Sequence, residues 1–414
     1  MKRFLYIFIL TLFIYAGQSP ASARLVLTLN QCLDSAMTLN GNITAAAMEI
    51  EKAGILKGTA FDPPKTGITL KQETTGGGGP DNGVSFSQDF EFPTVYVKRS
   101  KVLSAQQDVE RGNFNIAVND LSYQVTSTFY TLLYRNELLK LNREAGAMFN
   151  QFFNLASTRF ADGDCSALEK LNATRMVEKN ELERTGLLAD YDRESLFLGA
   201  LTGCGQPVVP ADTVLCLSSY TPGMESFNYS TTPAGMLNDS EISLSSHNLT
   251  LARHELLPDL YVAATVQALI KGFNPYHIDR NRFQQGNFMG FEVGISVPLF
   301  FGAQRSRIKA AEADLSIARL RKETAAMEAE TRYGKLLTEL DKATATLNYY
   351  TTKALPQADE IKRLAEISYE YGEIDYMEYL GNIETYFSIR KDYLDAVNEY
   401  NQTIITINSL NPYK

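Results

Sequence analysis

Cysteine and histidine are scarce in this 414-residue chain, with four of the first and three of the second. His247, His254 and His277 show no zinc-like spacing, and Cys32, Cys165, Cys204 and Cys216 form no cluster with them. No metal site in the chain is expected on that pattern. The methionines are scattered and read as core fillers. Beyond residue 23 no run of 18 consecutive apolar residues occurs, so that part of the chain holds no transmembrane helix. Positive charge is in deficit: 39 Lys and Arg stand against 48 Asp and Glu, a formal charge of -9. Nucleic acid is excluded as a partner, because its affinity comes from Lys and Arg on phosphates. There is no nucleophile-base arrangement, phosphate loop or metal motif, so neither an enzyme nor a cofactor is expected.

What is present begins with an export signal. Lys2 and Arg3 form a short basic stretch, Phe4 to Tyr15 an apolar run, and Ala21-Ser22-Ala23 a small-residue cleavage pattern, which together read as a signal peptide over residues 1–23. The apolar run is too short to span a bilayer. Without Lys2 and Arg3 the charge of -9 becomes -11. Cys32 lies nine residues past Ala23, outside a lipid-anchor context. Export permits disulfides, and Cys204 with Cys216 is the one pair near in sequence. A bridge there and four free thiols are both open.

The rest reads as one motif written twice. Arg159-Phe160-Ala161-Asp162-Gly163-Asp164 is answered by Ser368-Tyr369-Glu370-Tyr371-Gly372-Glu373, each with an aromatic three residues before the glycine. Phe90-Glu91-Phe92-Pro93 is answered by Ile295-Ser296-Val297-Pro298. Proline and glycine are 70 residues apart in the first copy and 74 in the second. An internal repeat of this length outranks local motifs as a sign of architecture. Between proline and glycine each copy reads as one very long helix. Leu121, Val125, Phe129 and Leu132, then Leu336, Leu340, Ala343, Leu347 and Tyr350, recur at spacings of three and four, the seam of a coiled coil. Residues 94 to 161 hold no Pro and two Gly, and as a helix would extend about 100 Å. Residues 302 to 370 match, with a kink expected at Pro356. Such a rod needs neighbouring rods to cover its apolar stripe.

A pair of strand patterns precedes each rod. Thr66 to Lys71 and Val84 to Phe92 flank the loop Gly76 to Asp81, and Leu260 to Gln267 partners Phe291 to Val297. Alternating strands of this kind carry the signature of an outer-membrane barrel, apolar toward lipid and polar toward the lumen. Asp89, Glu91 and Glu292 fall on the lumen side of that pattern. Four strands cannot close a barrel, and lipid does not tolerate an open edge. Several copies are therefore needed, and a homotrimer would supply 12 strands and 12 helical rods.

The remaining segments read as supports. Thr28 and Gln31 make a capping box, after which Leu29, Leu33, Ala36, Ile43, Ala46 and Ile50 recur at helical spacing with an interruption at Asn40-Gly41-Asn42. Residues 201–240, rich in Gly, Pro and Ser, join a first repeat (24–200) to a second (241–414). The second outer helix reads as helical only from about Ser240 and so as shortened. Leu380, Ile383, Phe387, Leu394, Val397 and Ile404 mark the packed face of a final helix. The fold class expected is mainly α with a small β part: an α-barrel of long helices joined to a shared 12-strand β-barrel.

This duplicated order of helix, strand pair, proline, long helix, aromatic-x-x-Gly and returning helix resembles the outer-membrane efflux proteins typified by TolC, over nearly the whole mature chain. Leu256-Leu257-Pro258-Asp259-Leu260 and Val297-Pro298-Leu299-Phe300-Phe301-Gly302 resemble the family's passages into the third strand and out of the fourth. Gly372 to Leu380 and Tyr393 to Tyr400 look most like the heavy-metal branch of CzcC-like and CusC-like proteins. The resemblance implies a channel in the outer membrane whose helices form a tunnel through the periplasm. It implies as partners outer-membrane lipid, a periplasmic adaptor and an inner-membrane pump of the resistance-nodulation-division type. It places the two turns, with Asp162, Gly163, Tyr371 and Gly372, at the periplasmic tip facing the adaptor. Acidic residues six positions past each glycine line the closed entrance in the family; here these are Glu169 and Glu378. Asp164, Glu373 and Asp375 add to the acidity of the mouth, and rings of acids favour cations. Ile374 and Gly381 stand where some members carry a basic and an acidic residue, so their salt-bridge latch is not implied.

The function expected is passive conduction of heavy-metal cations or other small solutes from periplasm to exterior. Multidrug efflux and type I protein secretion are readings of the same fold. A periplasmic coiled-coil structural protein is the reading outside it.

Overall fold

The computed structural model describes residues 24–74, 80–218, 227–267 and 288–410. The signal peptide and the core of the glycine-rich loop at 76–79 lie outside the described residues. In chain order the elements are β1 (Leu25–Leu27), α1 (Leu29–Leu39), α2 (Gly41–Leu56), β2 (Gly67–Thr74), β3 (Pro80–Phe90), α3 (Pro93–Ala161) and α4 (Ala167–Leu201). There follow β4 (Val208–Pro210), α5 (Pro233–His254), β5 (Asp259–Gln267), β6 (Phe288–Ser296), α6 (Gly302–Tyr349), α7 (Leu355–Glu370) and α8 (Tyr376–Leu410). The mainly helical class with two strand pairs is as the sequence leads one to expect.

Local chemistry explains the boundaries. The Thr28 hydroxyl accepts from the Gln31 amide and the Gln31 side chain accepts from the Thr28 amide, the reciprocal cap that starts α1. Asn40 interrupts the run, and its side chain donates to the Leu201 carbonyl at 2.9 Å. The second rod is broken where Pro356 makes a break necessary. A π-helical turn, Tyr350–Ala354, lies between α6 and α7, and Pro356 sits in the first turn of α7, where its missing N–H costs least.

Two differences from the sequence expectation fall between the repeats. Helix α5 starts at Pro233, seven residues earlier than Ser240. Thr232 caps it by accepting from the Gly235 amide at 3.0 Å, and proline at the first position suits a helix start. At 22 residues α5 is still shorter than α1 and α2 together. The segment after α4 is also more than a join, because Val208–Pro210 pairs in parallel with Leu25–Leu27. A three-residue pairing across so long a separation leaves no periodic trace.

The chain packs as two compact units. Among the described residues the first gathers 24–45, 117–218, 227–228 and 329–410. Leu121, Val125, Phe129 and Leu132 of α3 are buried there, as are Leu380, Ile383, Val397 and Ile404 of α8. Polar pairs fix the register of these two helices. The Ser127 hydroxyl donates to Gln402 at 2.6 Å and the Asn119 amide donates to the Ser409 carbonyl at 2.9 Å. The stretch before residue 219 crosses them as a strap. Fully buried Asn401 accepts from the Ser218 amide at 2.7 Å and donates to the Cys216 carbonyl at 3.0 Å.

The second unit gathers Ala46–Ile116 and Tyr229–Glu328 and holds the antiparallel sheet β2-β3-β5-β6. Its central pairing joins the two repeats, with Ser85 opposite Thr265 and Phe86 opposite Ala264. Strands β2 and β6 form its edges.

Candidate functional site

Register divides the sheet into two chemically distinct faces. Gly67, Ser87, Ala263 and Glu292 lie in one row, and Thr69, Ser85, Thr265 and Gly290 in the next. Asp89, opposite Tyr261, belongs to the same face. The other face carries Ile68, Leu70, Phe86, Val262, Met289, Phe291, Val293 and Ile295, all exposed, with Phe291 at 85 %. Burying a Val, Leu, Ile or Phe side chain is worth about 1.5–3 kcal/mol. Eight such side chains on one face mark a surface built for an apolar surrounding.

The expected lumen acids are thus placed unequally. Asp89 and Glu292 stand on the polar face. Glu91 lies past the end of β3 and is ion-paired with Arg99 at 2.6 Å, and its backbone amide donates to the Tyr96 hydroxyl at 3.0 Å. Its charge is offset locally.

The two glycine turns, both in the first unit, are copies at the level of single hydrogen bonds. Gly163 has φ 82° and Gly372 has φ 72°, a left-handed conformation that glycine adopts without penalty. The Asp164 amide donates to the Arg159 carbonyl at 2.7 Å and the Glu373 amide to the Ser368 carbonyl at 2.8 Å. The Gly163 and Gly372 amides reach Phe160 and Tyr369 at 3.2 and 3.1 Å. This is the Schellman ending of a helix, made twice. Three residues past each glycine a side chain caps the returning helix. The Ser166 hydroxyl accepts from the Glu169 amide at 3.2 Å, and the Asp375 carboxylate accepts from the Glu378 amide at 2.9 Å. Glu169 and Glu378 therefore hold the same position in the first turn of α4 and α8, where the helix dipole favours an acid.

The two turns and the helix starts that follow them carry all five expected acids. Asp164, Glu373, Asp375 and Glu378 are exposed and Glu169 is half-buried. None forms an ion pair among the described residues. Asp375 acts as a cap, and the Glu373 carboxylate accepts from the Ser368 hydroxyl at 2.9 Å. Asp162 and Tyr371 are exposed beside the glycines.

Beneath the turns lies an aromatic core that sequence reasoning missed. Tyr369 stacks on Tyr379 with centroids 4.7 Å apart, and Phe152 meets Tyr379 edge-on at 5.1 Å. Burial raises the Tyr376 and Tyr379 phenols to about 12, with Tyr369 adding in both cases, and they remain uncharged. The available signal was the aromatic spacing Tyr369, Tyr376, Tyr379. A groove of about 720 Å³ runs between α4 and α8 over a floor of α3, with Lys179 and Glu384 facing each other at 3.8 Å. All four cysteines are free thiols.

Comparison with known proteins finds relatives of the same fold. Residues 240–410 match the family model described as Outer membrane efflux protein. The cobalt-zinc-cadmium resistance protein CzcC of Cupriavidus metallidurans is 22% identical over 404 residues, covering 94% of this chain and 91% of that protein. Residues 240–410 of the chain thus resemble the outer membrane efflux proteins, and CzcC is similar along nearly all of it. A membrane protein from Pseudomonas aeruginosa has the same fold, with TM-score 0.78 at 16% identity over 95% of this chain and 96% of that one. The channel CusC superposes with TM-score 0.76 at 14% identity over 96% and 95%. The chain accordingly shares the fold of these two solved structures along nearly its whole length. The solved structures it resembles include outer-membrane channels.

Proposed function

We propose that three copies of this chain close a 12-strand barrel in the outer membrane and conduct heavy-metal cations passively from the periplasm to the exterior. The observation that carries this reading is the two-faced sheet with its two edge strands. An unpaired edge is not viable in lipid, and four strands are too few to close on themselves. Pairing β2 of one copy with β6 of the next satisfies both edges and turns the apolar face outward to lipid. Asp89 and Glu292 then line the lumen, and the α3, α4, α6, α7 and α8 helices form the tunnel wall.

The acidic turns form the entrance in this reading. Glu169 and Glu378, with Asp164, Glu373 and Asp375, make rings of negative charge that attract cations. The exposed turn residues Asp162, Gly163, Tyr371 and Gly372 meet a periplasmic adaptor, which couples the channel to an inner-membrane pump of the resistance-nodulation-division type. Similarity to CzcC along almost the whole chain supports metal cations as cargo.

The test is growth of a deletion strain on zinc, cobalt, cadmium, copper and silver beside dyes, detergents and antibiotics. Hypersensitivity to cations, restored by the intact gene, is expected. Hypersensitivity to organic compounds alone would overturn the cargo. In the same strain Glu378→Lys is expected to restore less cation resistance than the unaltered gene at equal protein level. Full restoration would remove the entrance role of that residue.

A further inference from the structure

Each passage from strand to helix ends on the same charge pattern. Lys98, Arg99 and Lys101 follow Pro93, and Arg305, Arg307 and Lys309 follow Pro298. No acidic residue occurs from Pro93 to Gln107 or from Val297 to Ala311. All six cations lie within the first nine residues of α3 and α6. The N-terminal end of a helix gains nothing from positive charge, so interaction with the helix dipole does not account for them.

Arg99 is neutralised by Glu91 at 2.6 Å, and Arg307 donates to the Gln304 side chain at 3.2 Å. Lys98, Lys101, Arg305 and Lys309 enter no ion pair among the described residues. The last three are exposed. Directly on the strand side, Leu299, Phe300 and Phe301 are exposed, Phe300 at 91 %. They continue the apolar face of β6 through exposed Val297. In the first repeat exposed Phe61 meets the Tyr96 ring at 4.8 Å and exposed Val97 precedes Lys98.

An apolar face, then exposed aromatic side chains, then uncompensated cations follows the profile of a bilayer from acyl chains through the interface to the headgroups. We propose that Lys98, Lys101, Arg305 and Lys309 form a belt that binds anionic phospholipid headgroups where the sheet passes into the helices. The apolar face supplies continuity with the acyl region, and the four free charges supply complementarity to phosphodiesters. The inference rests on the reading of that face as lipid-facing.

The chain contains no tryptophan, so single reporters can be introduced without background. Full-length protein carrying Phe300→Trp, or Phe291→Trp as a reference within the sheet, is reconstituted in vesicles of brominated phosphatidylcholine. Unbrominated phosphatidylglycerol or unbrominated phosphatidylcholine is then titrated in. At Phe300→Trp, phosphatidylglycerol is expected to relieve quenching with a relative affinity about threefold or more above phosphatidylcholine, given the attraction of each cation to an anionic surface. The preference is expected to vanish in 1 M NaCl, and in the combined Lys98→Gln, Lys101→Gln, Arg305→Gln and Lys309→Gln variant. At Phe291→Trp both lipids are expected to relieve quenching equally. Equal affinities at Phe300→Trp, with Phe291→Trp quenched, would overturn the belt and leave the barrel reading intact. A preference surviving both salt and the variant would overturn the assignment to these four residues. Absence of quenching at Phe291→Trp would overturn the lipid-facing reading and the belt with it.

Discussion

At the scale of single residues, the positive-φ glycines separate conformational cost from steric cost. A Cβ at Gly372 would meet nothing within 4 Å, so Gly372→Ala costs only the left-handed backbone penalty, about 1–2 kcal/mol. Hydrogen exchange of the amides from Gly372 to Tyr376 should therefore quicken about fivefold or more. Gly203 has φ 70°, and a Cβ there would lie 2.7 Å from the Leu39 carbonyl carbon and oxygen. Gly203→Ala should lower the thermal midpoint more than Gly372→Ala does, and the reverse order would contradict the packing described. The Cys32 thiol is fully buried and raised to about 11, first by burial and then by the nearby Cys204 thiol. The folded state thus holds this proton more tightly than the unfolded chain. The associated stability is complete below pH 9 and is lost as pH rises through about 11. At pH 8 iodoacetamide should modify exposed Cys216 at least about 100-fold faster than Cys32, since the thiolate is the reactive form. Comparable rates would contradict the burial of Cys32.

At the scale of elements, the capping side chains carry the likeness between the repeats. Ser166 and Asp375 differ chemically yet perform the same task three residues past a glycine. Ser166→Ala and Asp375→Ala should each cost about 1 kcal/mol, read as faster exchange in the first turn of α4 or α8 respectively. Asp375→Asn keeps an acceptor and should behave nearly as the parent protein. These turns were legible in the sequence because the motif is local and duplicated. The long rods were legible from Leu121 to Leu132 and from Leu336 to Tyr350, where the apolar stripe repeats regularly. The α5 start was misplaced although Thr232-Pro233 is a helix-start signal, because surrounding Gly, Pro and Ser suggested a loop. The pairing of β1 with β4 was not legible, since three residues per strand carry no period. Nor did the sequence reveal the ion pair of Glu91 with Arg99, because alternation assigns a side of the strand and says nothing about neighbours.

At the scale of the whole molecule, the sheet is chemically finished on both faces and unfinished at both edges. Its polar face carries Asp89 and Glu292, its apolar face eight exposed side chains. The two-faced pattern could be read from alternation, and the joining of the repeats through Ser85 and Thr265 adds what alternation alone could not, namely that all four strands form one sheet. The proposed completion by identical copies rests on the open edges and the four described strands. The most direct test is the mass of the intact assembly after extraction of the full-length protein from outer membranes in mild detergent. The account predicts a particle of three chains that requires detergent to stay dispersed. A monomer that remains soluble without detergent would contradict it.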